Sequence, residues 1–306
     1  MPPTCGASCL YSSCIPRDQC VHPQVATLTP HSSAVVFMVV VGNYVLKNVT
    51  VPRWERYSAV HGYDFLTVTE RNTSVTGIAT AAWDRIFIAL ALFRKGYDVV
   101  IHADGDSAVL QPKTPIVQYV QSSTGPFGRA SPTSFLFVSQ DRGRFGSYQP
   151  SKRDFGNHIS LAPDHMLSGP NNFGVWVMRR SQTAFAALEH ITKFSQRTGR
   201  AFQSFPAEQG VLNAWLGQNC SRNQEPLPTT GCAYAQAAYG TFQRFIGRSD
   251  HPIPNMNRTD WDGALRTVLR LYQDSGVFVL HTPSMGKRPE FLLQTFSLVE
   301  KLIPIV

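Results

Sequence analysis

The stretch "VVIHADGDSAV", Val99 to Val109, sets Asp104 and Asp106 one residue apart just beyond an apolar run. Two carboxylates that close repel each other unless a cation lies between them. Gly105 lets the backbone turn sharply, so both acids can approach one point. Two chemistries use such a pair. In one, the acids hold Mn²⁺ or Mg²⁺, and the ion binds a diphosphate and neutralises a leaving group. In the other, Asp104 attacks a phosphate and Asp106 is the general acid. Near the other end, "FVLHTPSMGKRPEF" puts His281 at the close of a second apolar run, followed by Gly286, Lys287 and Arg288. A neutral imidazole there suits the third position on the same metal. Gly286 frees the backbone to approach phosphate oxygens, and Lys287 and Arg288 offer them positive charge.

These residues need a scaffold that brings strand ends together. Ala34 to Val41 is a continuous apolar run, as expected of a parallel strand covered on both faces. A helix over Arg53 to His61 and a strand over Tyr63 to Thr69 follow. Trp83, Ile86, Phe87, Leu90 and Phe93 then recur at helical spacing, and Val99 to Ala103 is a strand that delivers the acids. Strand, helix, strand, helix, strand implies right-handed crossovers and a mostly parallel sheet, with ligands at its carboxyl edge. Farther on, strands are expected over Phe135–Val138, Val175–Met178 and Val277–His281. Helices are expected over Gln182–Phe194, the segment from Pro206 to Gly217, and Trp261–Gln273. Residues 139–170 read as loop and 218–259 as a long irregular insert. Glu208 falls in the first turn of a helix, where the dipole alone favours an acid. Trp176, Trp215 and Trp261 are expected in the core.

The 306 residues are 43% hydrophobic and 16% charged, ordinary for one globular α/β domain. A net charge of +8 suits an anionic ligand. The basic residues are scattered, without a Lys/Arg run or an aromatic RNA-binding signature, which points away from nucleic acid. No apolar run has the length of a membrane span. Residues 1–30 lack the basic start and apolar centre of a secretory signal. They read instead as an arm holding Cys5, Cys9, Cys14 and Cys20, with Cys220 and Cys232 far downstream. An even cysteine count clustered this way looks like disulfides, whereas the spacings fit no common zinc pattern. N-x-S/T sequons begin at Asn48, Asn72, Asn219 and Asn257. Together these features favour a secretory-lumen protein, with a cytoplasmic one as the alternative.

The motifs also occur in a telling order: "VHGYDF", "AAWDRI", "DGD", "NNFGVWVMRRS", "EQGVLNAWL", then His281 with Gly286-Lys287. Across residues 34–290 this resembles the retaining GT-A glycosyltransferases related to fungal α-galactosyl- and mannosyltransferases and plant xyloglucan xylosyltransferases. It is similar, more distantly, to glycogenin, although four residues separate His281 from Gly286, a wider spacing than the glycogenin-like pattern. The resemblance implies a GT-A (Rossmann-like) domain over 31–306 behind a Cys-rich arm at 1–30. It implies transfer of a hexose or pentose from a nucleotide-diphosphate sugar, UDP favoured and GDP possible, to a glycan or glycoprotein hydroxyl. Asp104, Asp106 and His281 match the ligands of Mn²⁺ or Mg²⁺, and Gly286 and Lys287 the diphosphate contact. Asn172 matches the residue facing the donor sugar, and Gln209 the one near the anomeric carbon. Tyr44 sits where the base stacks, and Arg85 where a basic residue braces the acids or the donor. Two alternatives stand beside this reading. "DGDSAVL" is similar to the opening motif of haloacid-dehalogenase phosphatases, although those carry it on their first strand. A catalytically silent nucleotide- or glycan-binding protein is the other.

Overall fold

The protein is seen here as a computed structural model that describes residues 23–42, 46–71, 83–128, 130–140, 171–198, 207–238, 241–245, 261–274, 276–282 and 289–305. In chain order, a helical turn α1 (Pro23–Thr27) precedes β1 (Ala34–Val39), α2 (Lys47–His61), β2 (Asp64–Val68), α3 (Asp84–Arg94) and β3 (Val99–Ala103). Then come β4 (Ser107–Val109), α4 (Ile116–Gln121), β5 (Leu136–Gln140), β6 (Asn171–Arg179), α5 (Gln182–Thr198) and α6 (Ala207–Asn219). The chain continues through β7 (Ser221–Arg222), β8 (Ala233–Ala237), β9 (Gln243–Phe245), α7 (Trp261–Asp274), β10 (Val279–His281) and α8 (Pro289–Leu302).

Seven strands form the main sheet in the order β2-β1-β3-β6-β5-β8-β7, and three form a small sheet, β4-β10-β9. β1 runs parallel to β2 and β3, with Val36 opposite both Phe65 and Ile101. The crossovers through α2 and α3 therefore produce the expected parallel half. β6 runs antiparallel to both its neighbours, β3 and β5. Beyond it β5, β8 and β7 are again parallel. Both faces of the sheet are covered, as its unbroken apolar strands require. Val35, Phe37, Val100, Trp176 and Met178 pack under α3, α5 and α6, while Val36, Ile101, Val177 and Ala235 pack under α2 and the small sheet.

Several elements differ from the sequence expectation. The supposed irregular insert at 218–259 contributes β7 and β8 to the main sheet and β9 to the small one. Its strand Ala233–Ala237 has no β-branched residue to announce it. α2 begins well before Arg53, because Pro52, which normally marks a helix start, lies inside it. α8 is an additional helix that buries Phe296, Leu298 and Val299 against Leu265 and Leu269 of α7. Of the N-terminal arm, residues 1–22, with four of its cysteines, lie outside the described residues; α1 packs on the body through Val25, fully buried. Cys220 and Cys232 form a disulfide between the end of α6 and the start of β8. Among the described residues no helix is long and apolar enough to cross a membrane.

Candidate metal centre

β3 ends at Ala103 on the carboxyl edge of the parallel strands, and the Asp104-Gly105-Asp106 turn leads straight into β4. β4 pairs with β10 on one side only. Its other side would leave carbonyls bare, and α2 covers them with side chains. Thr50 Oγ1 donates to the Gly105 carbonyl at 2.7 Å, Trp54 Nε1 to that of Ser107 at 3.1 Å, and Arg53 Nε to that of Val109 at 3.0 Å. The intervening Asp106 carbonyl points the other way and accepts from the Thr282 backbone N–H at 3.0 Å. The turn that carries the acids is thus held from both sides. Arg53, almost wholly buried, also donates to the Ile303 carbonyl and pairs with Glu300 at 3.3 Å, tying α8 to the same helix.

β10 delivers His281 to that turn. Its Nε2 lies 3.1 Å from Asp106 Oδ1 and 3.5 Å from Asp104 Oδ2. Ligand atoms from Asp104, Asp106 and His281 all lie within 4.8 Å of one another. The imidazole is seated against β6. A Cβ built on Gly174 would meet the ring at 2.1 Å from Cε1 and 2.6 Å from Nδ1, so only glycine admits the ring here. Burial alone would lower the His281 pKa, but Asp106 and Asp104 beside it raise it to about 9. Burial likewise works to raise the Asp104 pKa, yet His281, Arg85 and His102 hold it below the usual range. His102, one strand residue earlier on the opposite side of Ala103, is stacked on Trp176 and lowered to about 3, chiefly by burial; it is neutral.

Arg85 of α3 meets the acids from the other side. One guanidinium nitrogen donates to Asp104 Oδ1 at 3.3 Å and to the Phe173 carbonyl at 2.9 Å, while another pairs with Glu208 at the start of α6. Glu208, only 2% exposed, is therefore the counter-ion of a buried arginine and more than a first-turn acid. Gln209 Oε1 accepts from the Phe173 N–H at 3.4 Å, and Asn172 Oδ1 accepts from the Gly174 N–H at 2.9 Å. The Gly174 carbonyl accepts from the Asp104 N–H at 2.8 Å. All of this surrounds a bulge, where the β5–β6 register jumps between Val138, opposite Trp176, and Ser139, opposite Asn172. Bulges of this sort re-aim side chains near sites.

The structure thus brings Arg85, Asp104, Asp106, Asn172, Gln209 and His281 to one sheet edge. Tyr44, Gly286 and Lys287 lie outside the described residues. Gly174, Glu208, Thr50 and Trp54 join the site without having been singled out for it. Only Gly174 carried a signal, as the glycine two residues after Asn172 in Asn-Phe-Gly; the structure sets it inside β6, where glycine marks a bulge or a close approach.

No protein-family model matches the sequence, and no curated protein matches it. Solved structures do. A glycosyltransferase involved in the glycosylation of the major capsid of PBCV-1 is similar at a TM-score of 0.52 and 14% identity, over 85% of this chain and 98% of that one. The apo form of mouse xyloside xylosyltransferase 1 gives a TM-score of 0.40 at 12% identity, over 82% of this chain and 98% of that one, and nothing below rests on it. The chain has a glycosyltransferase fold. It is the expected single α/β domain of the GT-A kind, a mostly parallel sheet flanked by helices.

Proposed function

We propose that the chain is a metal-dependent glycosyltransferase that moves a hexose or pentose from a nucleotide-diphosphate sugar to a hydroxyl of a glycan or glycoprotein. The observation that carries this reading is the convergence of Asp104, Asp106 and His281 at the carboxyl edge of a glycosyltransferase-like sheet. The donor set fits Mn²⁺ or Mg²⁺, with two carboxylates and one imidazole. Separations of 3.1 and 3.5 Å from His281 to the acids suit neighbouring ligands on an ion bonded at ~2.1 Å. Such an ion, when bound, supplies positive charge to the departing diphosphate.

The chain's own residues do the rest. Arg85 braces Asp104 and is itself held by Glu208. Asn172 and Gln209 flank the donor sugar; with Gln209 Oε1 engaged by the Phe173 N–H, its Nε2 remains for a sugar or leaving-group oxygen. Lys287 and Gly286 meet the diphosphate, and Tyr44 stacks on the base, with UDP-sugars favoured over GDP-sugars. The resemblance to retaining enzymes supports retention by attack on the leaving-group face, and Glu208, the carboxylate beside Gln209, is engaged by Arg85. The ordered motifs support kinship with the fungal α-galactosyl/mannosyltransferases and plant xyloglucan xylosyltransferases. The Cys220–Cys232 disulfide and the four sequons support a Golgi or other secretory lumen over the cytoplasm.

The test is donor hydrolysis across a panel of UDP- and GDP-sugars with Mn²⁺, with EDTA, and in Asp106→Ala. Hydrolysis of one donor that vanishes in EDTA and in the variant is the expected result. Silence on every donor together with cleavage of p-nitrophenyl phosphate would replace the transferase by a phosphatase.

A further inference from the structure

Two cavities, of about 630 and about 430 Å³, adjoin along the loop after α4 and share Gly125 and Pro126. They lie apart from the metal centre and include none of its residues. Among the described residues that line them none is charged, in a protein that carries 28 Lys and Arg and 20 Asp and Glu. The polar lining is carboxamide and hydroxyl: Gln118, Ser122 and Thr124 in the first cavity, Asn223 and Gln236 in the second, with the Tyr119 ring beside them. Groups of these two kinds both donate and accept hydrogen bonds, as sugar hydroxyls do. An anionic ligand would find no arginine or lysine among the described lining residues, and Arg222 behind the wall is engaged by Gln236. An apolar helix would strip water from the Gln118 carboxamide and the hydroxyls of the first cavity, at a cost in free energy.

The wall of the second cavity is built with care. Asn223 is the only non-glycine residue with positive φ among the described residues, at 53°. Its carboxamide accepts from the Gln236 N–H at 2.6 Å and donates to the Gln236 carbonyl at 2.8 Å, which holds the strained backbone in place. Residues kept in sparsely populated backbone regions cluster at ligand clamps. Gln236 in turn receives Arg222 on its Oε1 at 3.1 Å and donates through Nε2 to Asn171 Oδ1 at 2.6 Å. Asn171 begins the strand segment that continues through Asn172 and Phe173 to Gly174, against which His281 sits. One hydrogen-bonded path therefore joins the cleft wall to the metal centre. β8, which carries Gln236, is three strand positions from β3, or ~14 Å. An extended acceptor can span that distance.

We propose that this cleft binds a neutral oligosaccharide, the portion of the acceptor remote from the reacting hydroxyl. The role as acceptor subsite rests on the transferase reading, whereas the binding needs neither donor nor metal. Saturation-transfer NMR in EDTA tests it, with cellohexaose, xylohexaose and mannohexaose as neutral probes and hexagalacturonate as the anionic one. A neutral probe is expected to receive saturation and the uronate none. Thr124, exposed at the cleft, is replaced by tryptophan to fill it. The dissociation constant should rise roughly tenfold in Thr124→Trp, with the melting temperature unchanged. Equal binding of the uronate, undiminished binding in Thr124→Trp, or no signal from any neutral probe would each overturn the proposal. Failure of every donor to be hydrolysed would sink the transferase reading alone and leave the cleft measurement standing.

Discussion

A methyl group at Gly174 would land on the His281 imidazole, and the consequence can be worked out in advance. The built Cβ lies 2.1, 2.6 and 2.9 Å from Cε1, Nδ1 and Nε2, where carbon contacts prefer ~3.5–4.0 Å. Gly174 is not among the residues with positive φ, so alanine suffers no backbone strain there and the penalty is steric. The ring must retreat by more than an ångström. It is 1% exposed and held 3.1 Å from Asp106, so retreat breaks that contact and displaces the third ligand. Gly174→Ala should therefore cost ~1–3 kcal/mol of stability, the usual range for overpacking, and weaken Mn²⁺ binding. Removing the ring with His281→Ala removes the obstacle, so the alanine at 174 should then cost little. Urea unfolding of the four proteins in this cycle should show a coupling of ~1–3 kcal/mol, and calorimetric Mn²⁺ titration should report the ligand's displacement. An equal cost of Gly174→Ala in both backgrounds would refute the idea that this glycine exists to seat His281.

Thr50→Val keeps the shape of the side chain but leaves the Gly105 carbonyl without its donor; a loss of ~1–3 kcal/mol is expected in thermal unfolding, with Thr50→Ser recovering most of it. Arg85→Met strands the buried Glu208 carboxylate and should cost ~3–5 kcal/mol in urea unfolding, while Arg85→Met combined with Glu208→Leu should be far milder. Without metal, stability should peak near the ordinary histidine pKa of ~6.5 and decline on both sides. His281 is raised to about 9, so its contribution is complete below that ordinary value and is lost as pH rises through 9. His102 is lowered to about 3, so stability is lost as pH falls toward 3 and the unfolded chain takes up a proton that the folded one refuses. His281→Ala should flatten the alkaline limb and His102→Phe the acid limb of the stability–pH curve.

What the sequence made legible was local and chemical. Continuous apolar runs announced β1 and β3, and a helical stripe announced α3, because the burial of an element is written into its consecutive residues. The acids and His281 were legible by type, since few roles other than ligation or acid–base work demand them at strand ends. Pairings remote in sequence were not. β4 and β10 are three residues each, too short for any periodicity, yet their contact is what brings His281 to Asp106. Glu208 could be understood from its place in a helix, and nothing local disclosed that Arg85 waits opposite. Thr50, Arg53 and Trp54 look like ordinary helix residues until β4 lies beside them as an edge strand needing donors.

The charges around the turn show how these pieces fit one purpose. Arg85 and Glu208 neutralise each other in a buried pair, so the arginine can orient Asp104 without filling the space between the acids. That leaves two carboxylates facing one imidazole, and in the absence of a cation the imidazole answers them by holding a proton, which is why its pKa is raised to about 9. One protonated ring balances only one of two negative charges. A divalent ion that displaces the proton balances both, and the site then becomes neutral with its ligands already fixed by Gly174, Thr50 and Trp54. Preorganisation of this kind spares a bound ion the cost of gathering its ligands anew. It also ranks the competing chemistries. A phosphatase needs Asp104 free to attack, whereas here that carboxylate is engaged by Arg85 at 3.3 Å and approached by His281 at 3.5 Å. The arrangement suits a carboxylate whose task is to stay where it is.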